Sequence, residues 1–159
     1  MMARTTLGTA PAFELADPGG RRIRFVPDAP GFKVLVFYKN SCPTCQFAMP
    51  YFDRLYTRSK GARVHAVSQD TPQEAKDFAR EYDLSMPQLV DPHPHAVSRL
   101  YNIMNVPTLL VVDATGAIVL WSPAFVKADL LEAWSLLHPE SGSRPLFGPL
   151  EAIPELKPG

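Results

Sequence analysis

The sequence contains only two cysteines among 159 residues. That excludes a disulfide-stapled scaffold and leaves too few thiolates for a four-cysteine zinc site. A second Cys-x-x-Cys is missing, and His93 and His95 flank a proline without the spacing of a metal pair. No metal is therefore expected, and the two histidines read as surface polar residues. Charge of one sign is also lacking: basic and acidic residues number sixteen each, and no basic cluster stands out beyond Arg21, Arg22 and Arg24. Neither nucleic acid nor a membrane surface is expected as a partner. No uncharged apolar run approaches bilayer-spanning length, and residues 1–13 hold no apolar h-region. The expected location is the cytoplasm, although a sequence from which a leader or anchor had been removed would read the same way. There is no internal repeat.

The length suits one domain whose core needs neither metal nor disulfide. The expected division is a flexible N-terminus over 1–9, a domain over 10–138, and a proline-rich tail over 139–159. Five prolines and three glycines follow His138, so that tail is expected to be extended and loosely held.

Within the domain, Phe13-Glu14-Leu15 and Arg22-Ile23-Arg24-Phe25 alternate around the turn-rich Asp17-Pro18-Gly19-Gly20, which predicts a hairpin. Lys33 to Tyr38 is a continuous apolar and β-branched run, the pattern of a strand covered on both faces. From Pro43, the spacing of Phe47, Tyr51 and Leu55 predicts a helix to about Arg58, kinked at Pro50. Arg63 to Ser68 alternates as a strand. Thr71-Pro72-Gln73-Glu74 then combines a capping box with proline at the first helical position, and Ala75, Phe78, Ala79 and Tyr82 continue at helical spacing. A loop over 91–94, a short helix over 96–101, a strand over 108–112, a turn over 113–116, a hairpin partner over 117–121 and a last helix carrying Leu130, Leu131, Trp134 and Leu137 complete the order. Strands alternating with helices imply an α/β fold with a mixed central sheet flanked by helices. The aromatic set Phe47, Phe52, Phe78 and Trp134 reads as core.

The two cysteines fall in Cys42-Pro43-Thr44-Cys45, where the strand run gives way to the first helix. A loop this short adds little unfolded-state entropy, so a Cys42–Cys45 bond would stabilise the fold weakly, and its use is reversible chemistry. At a helix N-terminus, unpaired N–H groups and the positive end of the helix dipole favour a thiolate at Cys42. Cys45, one turn further in, is placed to resolve a mixed disulfide formed at Cys42.

Val34 to Tyr38 followed by this CxxC, Pro50 five positions after the second cysteine, and Val106-Pro107-Thr108 opening a strand together resemble the thioredoxin superfamily. The helix beginning at Thr71, the Ala10-Pro11-Ala12-Phe13-Glu14-Leu15 segment and the Asp113 to Gly116 turn resemble its TlpA-like and peroxiredoxin-like (AhpC/TSA-like redoxin) branch. The resemblance implies a thioredoxin fold with an N-terminal hairpin and an inserted helix. It also implies a cis Pro107 facing the cysteines and a Val106 backbone that, with Pro43 and Thr44, contacts a substrate peptide. Three positions depart from the pattern. Ser41 stands where thioredoxins usually have tryptophan. Val36 stands where thioredoxin has a buried aspartate, so proton transfer at Cys45 needs another group. Asp70 lies nearest to the glutamate that approaches the cysteines in some TlpA-like reductases, and is the candidate.

The expected function is thiol–disulfide oxidoreduction, in the reducing direction, through the Cys42/Cys45 dithiol. It needs no bound cofactor. Expected partners are disulfide-bearing protein clients and an upstream thioredoxin-type reductant that regenerates the pair. Two alternatives stand beside it. A thiol peroxidase of the peroxiredoxin kind would need threonine or serine three residues before the reactive cysteine and proline four before that. Lys39 and Leu35 precede Cys42 at those positions, and Cys42 and Tyr38 precede Cys45, so neither register fits. A non-enzymatic redox switch or partner-binding module would use the disulfide only as a signal, with the tail after His138 as its feature.

Overall fold

The computed structural model describes residues 7–60, 63–140 and 145–159. Its centre is the apolar run expected to be covered on both faces. Strand β3 (Lys33–Tyr38) is buried along its whole length. It pairs in parallel with β4 (Arg63–Ser68) and antiparallel with β6 (Thr108–Val112), placing Val36 between Ala66 and Leu109. Around it a seven-stranded sheet runs β2-β1-β5-β4-β3-β6-β7. The hairpin of β1 (Phe13–Ala16) and β2 (Arg22–Phe25) forms one edge, and β7 (Ile118–Pro123) forms the other.

Alternate residues of β3 feed two separate cores, as the two-residue period of a strand requires. Val34, Val36 and Tyr38 join Met49, Phe52, Phe78 and Leu130 on one face. Those side chains come from α1 (Pro43–Thr57), α2 (Pro72–Glu81) and α4 (Lys127–Leu137). Leu35 and Phe37 join Phe13, Val97 and Tyr101 on the other face, beneath the hairpin and the short helix α3 (Ala96–Leu100). The expected α/β architecture, a mixed sheet with helices on both faces, is the one observed.

Helix α2 starts where the capping box places it. The Thr71 side chain accepts from the Glu74 amide at 3.2 Å, and Glu74 accepts from the Thr71 amide at 3.1 Å. Helix α1 runs through Pro50. Near its middle Asp53 is buried and accepts from the Met86 amide at 2.8 Å and the Ser85 amide at 3.0 Å, which tethers the segment after α2 to α1.

Two features differ from the sequence reading. Strand β5 (Gln88–Val90) is absent from it; this strand pairs with β4 and, through Val90 and Ala16, links the hairpin to the main sheet. Residues 145–159 are not loosely held. Leu146 is buried in the first core, and Phe147 and Ile153 pack against it. Arg54 donates to the Leu146 carbonyl and pairs with Glu151 at 2.9 Å. Strand β9 (Leu156–Lys157) pairs antiparallel with β8 (Phe125–Val126). Proline and glycine suppress regular backbone structure, but a few well-placed apolar side chains suffice to dock the segment. Most of the expected flexible N-terminus, residues 1–6, lies outside the described residues; residues 7–9 are not flexible but pair with the start of β7, the Leu7 amide donating to the Ile118 carbonyl and the Ile118 amide to the Gly8 carbonyl, each at 2.8 Å.

Candidate active site

The cysteines sit where β3 hands over to α1. Cys42 is the N-cap of α1, in extended conformation, and Pro43 follows at the first helical position. The cap is made by sulfur: the Cys45 amide donates to Cys42 Sγ over 3.3 Å, so one of the orphan donors of the helix start is aimed at the half-buried thiol. The turn before it is held from both sides. The Cys42 amide donates to the Lys39 carbonyl at 3.2 Å, the Gln46 side-chain amide donates to the Asn40 carbonyl at 2.8 Å, and the Asn40 side chain reaches Glu74 of α2 at 3.1 Å.

Opposite the cysteines is the loop that opens β6. The Val106–Pro107 peptide bond is cis. The Cys42 thiol donates to the Val106 carbonyl over 3.5 Å. The Pro107 carbonyl accepts from the Ala124 amide at 2.7 Å, which ties this loop to the chain just before β8. Cys42, Cys45, Val106 and Pro107 are therefore brought together from sequence positions some sixty residues apart. Thr44 faces the same side, but its hydroxyl is engaged, donating to the Pro158 carbonyl. Pro43 and Ser41 are exposed at the rim.

Behind Cys42 the environment changes. Cys45 is fully buried, and both cysteines are free thiols. Burial pushes the Cys45 thiol far above its ordinary value, and the neighbouring Cys42 and the Asp70 carboxylate add to the effect, while a hydrogen bond to the Lys39 backbone opposes it. Cys45 is thus a proton-bearing thiol at neutral pH. Val36, at the position of the thioredoxin aspartate, is wholly buried in the apolar core and supplies no proton acceptor.

Asp70 lies between the end of β4 and the cap of α2 and is itself buried. Its carboxylate accepts from the Asn40 amide at 2.8 Å and from the Ser68 hydroxyl at 3.4 Å. Burial raises its pKa above the ordinary carboxyl range, partly offset by the Asn40 amide. Tyr38 and Gln88 extend this polar cluster. The Tyr38 hydroxyl donates to the Gln88 side-chain oxygen, whereas the buried Gln88 side-chain nitrogen has no hydrogen-bond partner among the described residues. Sequence reasoning does not single out Tyr38, Ser68, Gln88 or Asn40. Tyr38 and Ser68 end paired strands and read there as sheet residues, and Gln88 belongs to β5, which carries no sequence signal.

Other sequence expectations divide. Phe52, Phe78 and Trp134 are core, and Phe47 is half-buried, packing on that core through Phe125 at 5.2 Å between ring centres while the Lys157 ammonium lies 4.6 Å from the Phe47 ring centre. His93 is exposed, whereas His95 is half-buried and shares a 2.9 Å hydrogen bond with the Gln69 carbonyl. Among the described residues, no three His, Cys, Asp or Glu side chains are grouped so as to hold a metal ion. Among the same residues no helix is long and apolar enough to cross a membrane.

Solved structures share this architecture. A putative thiol:disulfide interchange protein DsbE from Chlorobium tepidum matches with a TM-score of 0.72, covering 84% of this chain and 97% of its own at 24% identity. StoA from Bacillus subtilis matches with a TM-score of 0.65, covering 80% and 98% at 22% identity. The fold is thioredoxin-like. Among curated sequences, a thiol-disulfide oxidoreductase ResA of Bacillus cereus is 31% identical over 114 residues, 69% of this chain and 65% of ResA. The match therefore spans slightly less than two thirds of that relative's length. The sporulation thiol-disulfide oxidoreductase A of Bacillus subtilis is 23% identical over 116 residues, 69% of this chain and 70% of its own. Residues 8–120, which carry the hairpin, both cysteines, Asp70 and the Val106-Pro107 loop, match the AhpC/TSA family, and with more than half of its length in that match the chain belongs to the AhpC/TSA family.

Proposed function

We propose that this chain is a thiol–disulfide oxidoreductase that reduces protein disulfides through Cys42 and Cys45. The observation that carries the reading is the asymmetry of the pair: a half-buried Cys42 sulfur between the Cys45 amide and the Val106 carbonyl, backed by a buried, proton-bearing Cys45.

The reaction divides between the two positions. Cys42 sulfur, as thiolate, attacks one sulfur of a client disulfide; a Cys42–client bond forms, the client S–S bond breaks, and the released client thiolate takes up a proton. Cys45 then gives its proton to a base and attacks Cys42 sulfur. The intramolecular disulfide forms and the second client thiol leaves. Two electrons pass to the client, and the dithiol that supplies them is oxidised. Asp70 is the group we assign to accept the Cys45 proton. Burial raises its pKa and makes it a better proton acceptor than an ordinary carboxylate, and neutralising the carboxylate as the thiolate forms avoids two adjacent negative charges. Pro43, Thr44, Val106 and Pro107 form the rim a client backbone would lie against. An upstream thioredoxin-type thiol reductant would return Cys42–Cys45 to the dithiol, so the cycle needs no bound cofactor. The compartment we propose is the cytoplasm, because the single cysteine pair serves exchange and leaves no cysteine for structural disulfides.

A Cys45→Ser variant tests the reading. It is expected to accumulate covalent mixed disulfides with disulfide-bearing proteins, released by dithiothreitol and absent in Cys42→Ser. If Cys45→Ser captures no client while the wild-type Cys42–Cys45 bond alters binding of a partner, the chain is a redox switch and the proposal fails. The reduction potential sets the direction: about −270 mV supports a reductase, and about −120 mV an oxidant.

A further inference from the structure

The rim beside Cys42 is occupied. Residues 156–159 leave the β8–β9 pairing, in which Leu156 faces Val126 and Lys157 faces Phe125, and continue along the same edge to the Val106 carbonyl. Three contacts hold them there. The Lys157 ammonium lies over the Phe47 ring, 4.6 Å from its centre. The Pro158 carbonyl accepts from the Thr44 hydroxyl at 2.5 Å. Gly159 approaches Val106 so closely that a Cβ added to it would overlap the Val106 carbonyl oxygen, the atom to which the Cys42 thiol donates. Backbone and not a flexible side chain would be struck, so only glycine fits.

We propose that residues 156–159 are a resident occupant of the client groove, which an incoming disulfide-bearing segment must displace by presenting an extended backbone with a small residue against Val106 and a cation two positions earlier over Phe47. The inference rests on the exchange reading above for the word client; the occupancy itself does not.

Base and tip of this segment are built differently. Leu146 is buried and Arg54 pairs with Glu151, so the base is anchored in the fold. From Glu155 to Gly159 every residue is exposed; Glu155 is held by the Lys127 amide at 3.0 Å and by an ion pair with the Lys127 ammonium at 3.7 Å, and beyond it the tip is held by a two-residue ladder, one hydroxyl bond and one cation–π contact. Release of the tip uncovers the rim without disturbing the core. A short tether gives the tip an effective concentration on the order of millimolar, so weak contacts keep it in place while a client that makes the same contacts and adds a covalent bond to Cys42 displaces it.

Alkylation of Cys42 by iodoacetamide, followed by mass spectrometry on the full reduced chain, reads occupancy without requiring exchange activity. Gly159→Val, which cannot fit against Val106, and Lys157→Glu, which removes the cation from Phe47, are each expected to raise the Cys42 alkylation rate about 2- to 10-fold, the range implied by a tether concentration about one to nine times the dissociation constant of the contacts. An amidated peptide of residues 151–159, added at millimolar concentration to Gly159→Val, is expected to restore the slower rate. Wild-type rates in both variants, or a peptide without effect, would overturn the occupant. Faster alkylation in variants that, like the wild type, reduce no protein disulfide would support the occupant and sink the exchange reading. Unchanged alkylation in a chain that does reduce disulfides would do the reverse.

Discussion

Replacing Asp70 by asparagine isolates the step that Val36 leaves without a partner. Asparagine keeps an oxygen for the Asn40 amide, which donates to Asp70 over 2.8 Å, and nearly the same volume in a buried site. It cannot take a proton. At its ordinary value of 9.0, Cys45 would already be only about 1% thiolate at pH 7, and burial lowers that fraction further. Resolution of the mixed disulfide therefore depends on proton removal during attack, for which a positioned base contributes about 10²–10⁴-fold. With the lower bound, Asp70→Asn is expected to slow the resolving step about 100-fold, equivalent to about 2.7 kcal/mol of barrier. Attack by Cys42 should be nearly unaffected, because the Asp70 carboxylate acts electrostatically on Cys45.

Single-turnover kinetics with a chromophoric disulfide separates the two steps as release of the first and the second thiol. In the wild type the second phase should rise with pH through the Asp70 ionisation and level off. In Asp70→Asn it should climb roughly tenfold per pH unit across neutrality, as hydroxide or buffer becomes the acceptor. Equal second-phase rates and parallel pH profiles in the two proteins would refute the assignment. An equilibrium check uses the same shift. Because the folded carboxyl titrates above 3.8, the native state binds more protons than the unfolded state between 3.8 and the folded pKa, and the Asp70 contribution to stability falls as pH rises through that window. The stability of Asp70→Asn relative to wild type should therefore increase from pH 3 to pH 7.

Two further outcomes concern the fold. Leu146→Ala removes a buried side chain that docks the C-terminal segment onto the first core, and should lower unfolding free energy by about 2–5 kcal/mol in urea titration; a loss below about 0.5 kcal/mol would mean that the segment is not anchored there. Asp53→Ala strips the acceptor from the buried Met86 amide and should cost about 1–3 kcal/mol, with Asp53→Asn recovering most of it in the same titration.

The cysteine pair is legible in the sequence because everything that defines it is local: a strand run, two residues of spacing, a proline at the first helical position. Helix α2 is legible for the same reason, since Thr71 and Glu74 satisfy one another within a single turn. Strand β5 is not, because three residues carry no period, and Gln88–Val90 extends only because β4 offers it a ladder. The polar cluster behind Cys45 falls between these cases. Asp70 can be named only through the resemblance to TlpA-like reductases, whose glutamate it lies nearest to, and Tyr38, Ser68 and Gln88 join it only through the register of β3, β4 and β5. The tail misleads for a different reason. Proline and glycine report on backbone hydrogen bonding and conformational freedom, not on burial, and docking needs neither a helix nor a long ladder. Leu146, Phe147 and Ile153 supply the apolar contacts and Arg54 the polar ones, so a segment with the composition of a flexible tail becomes part of the surface around Cys42. The glycine that speaks for a loose end is the residue whose missing side chain lets it lie against the Val106 carbonyl.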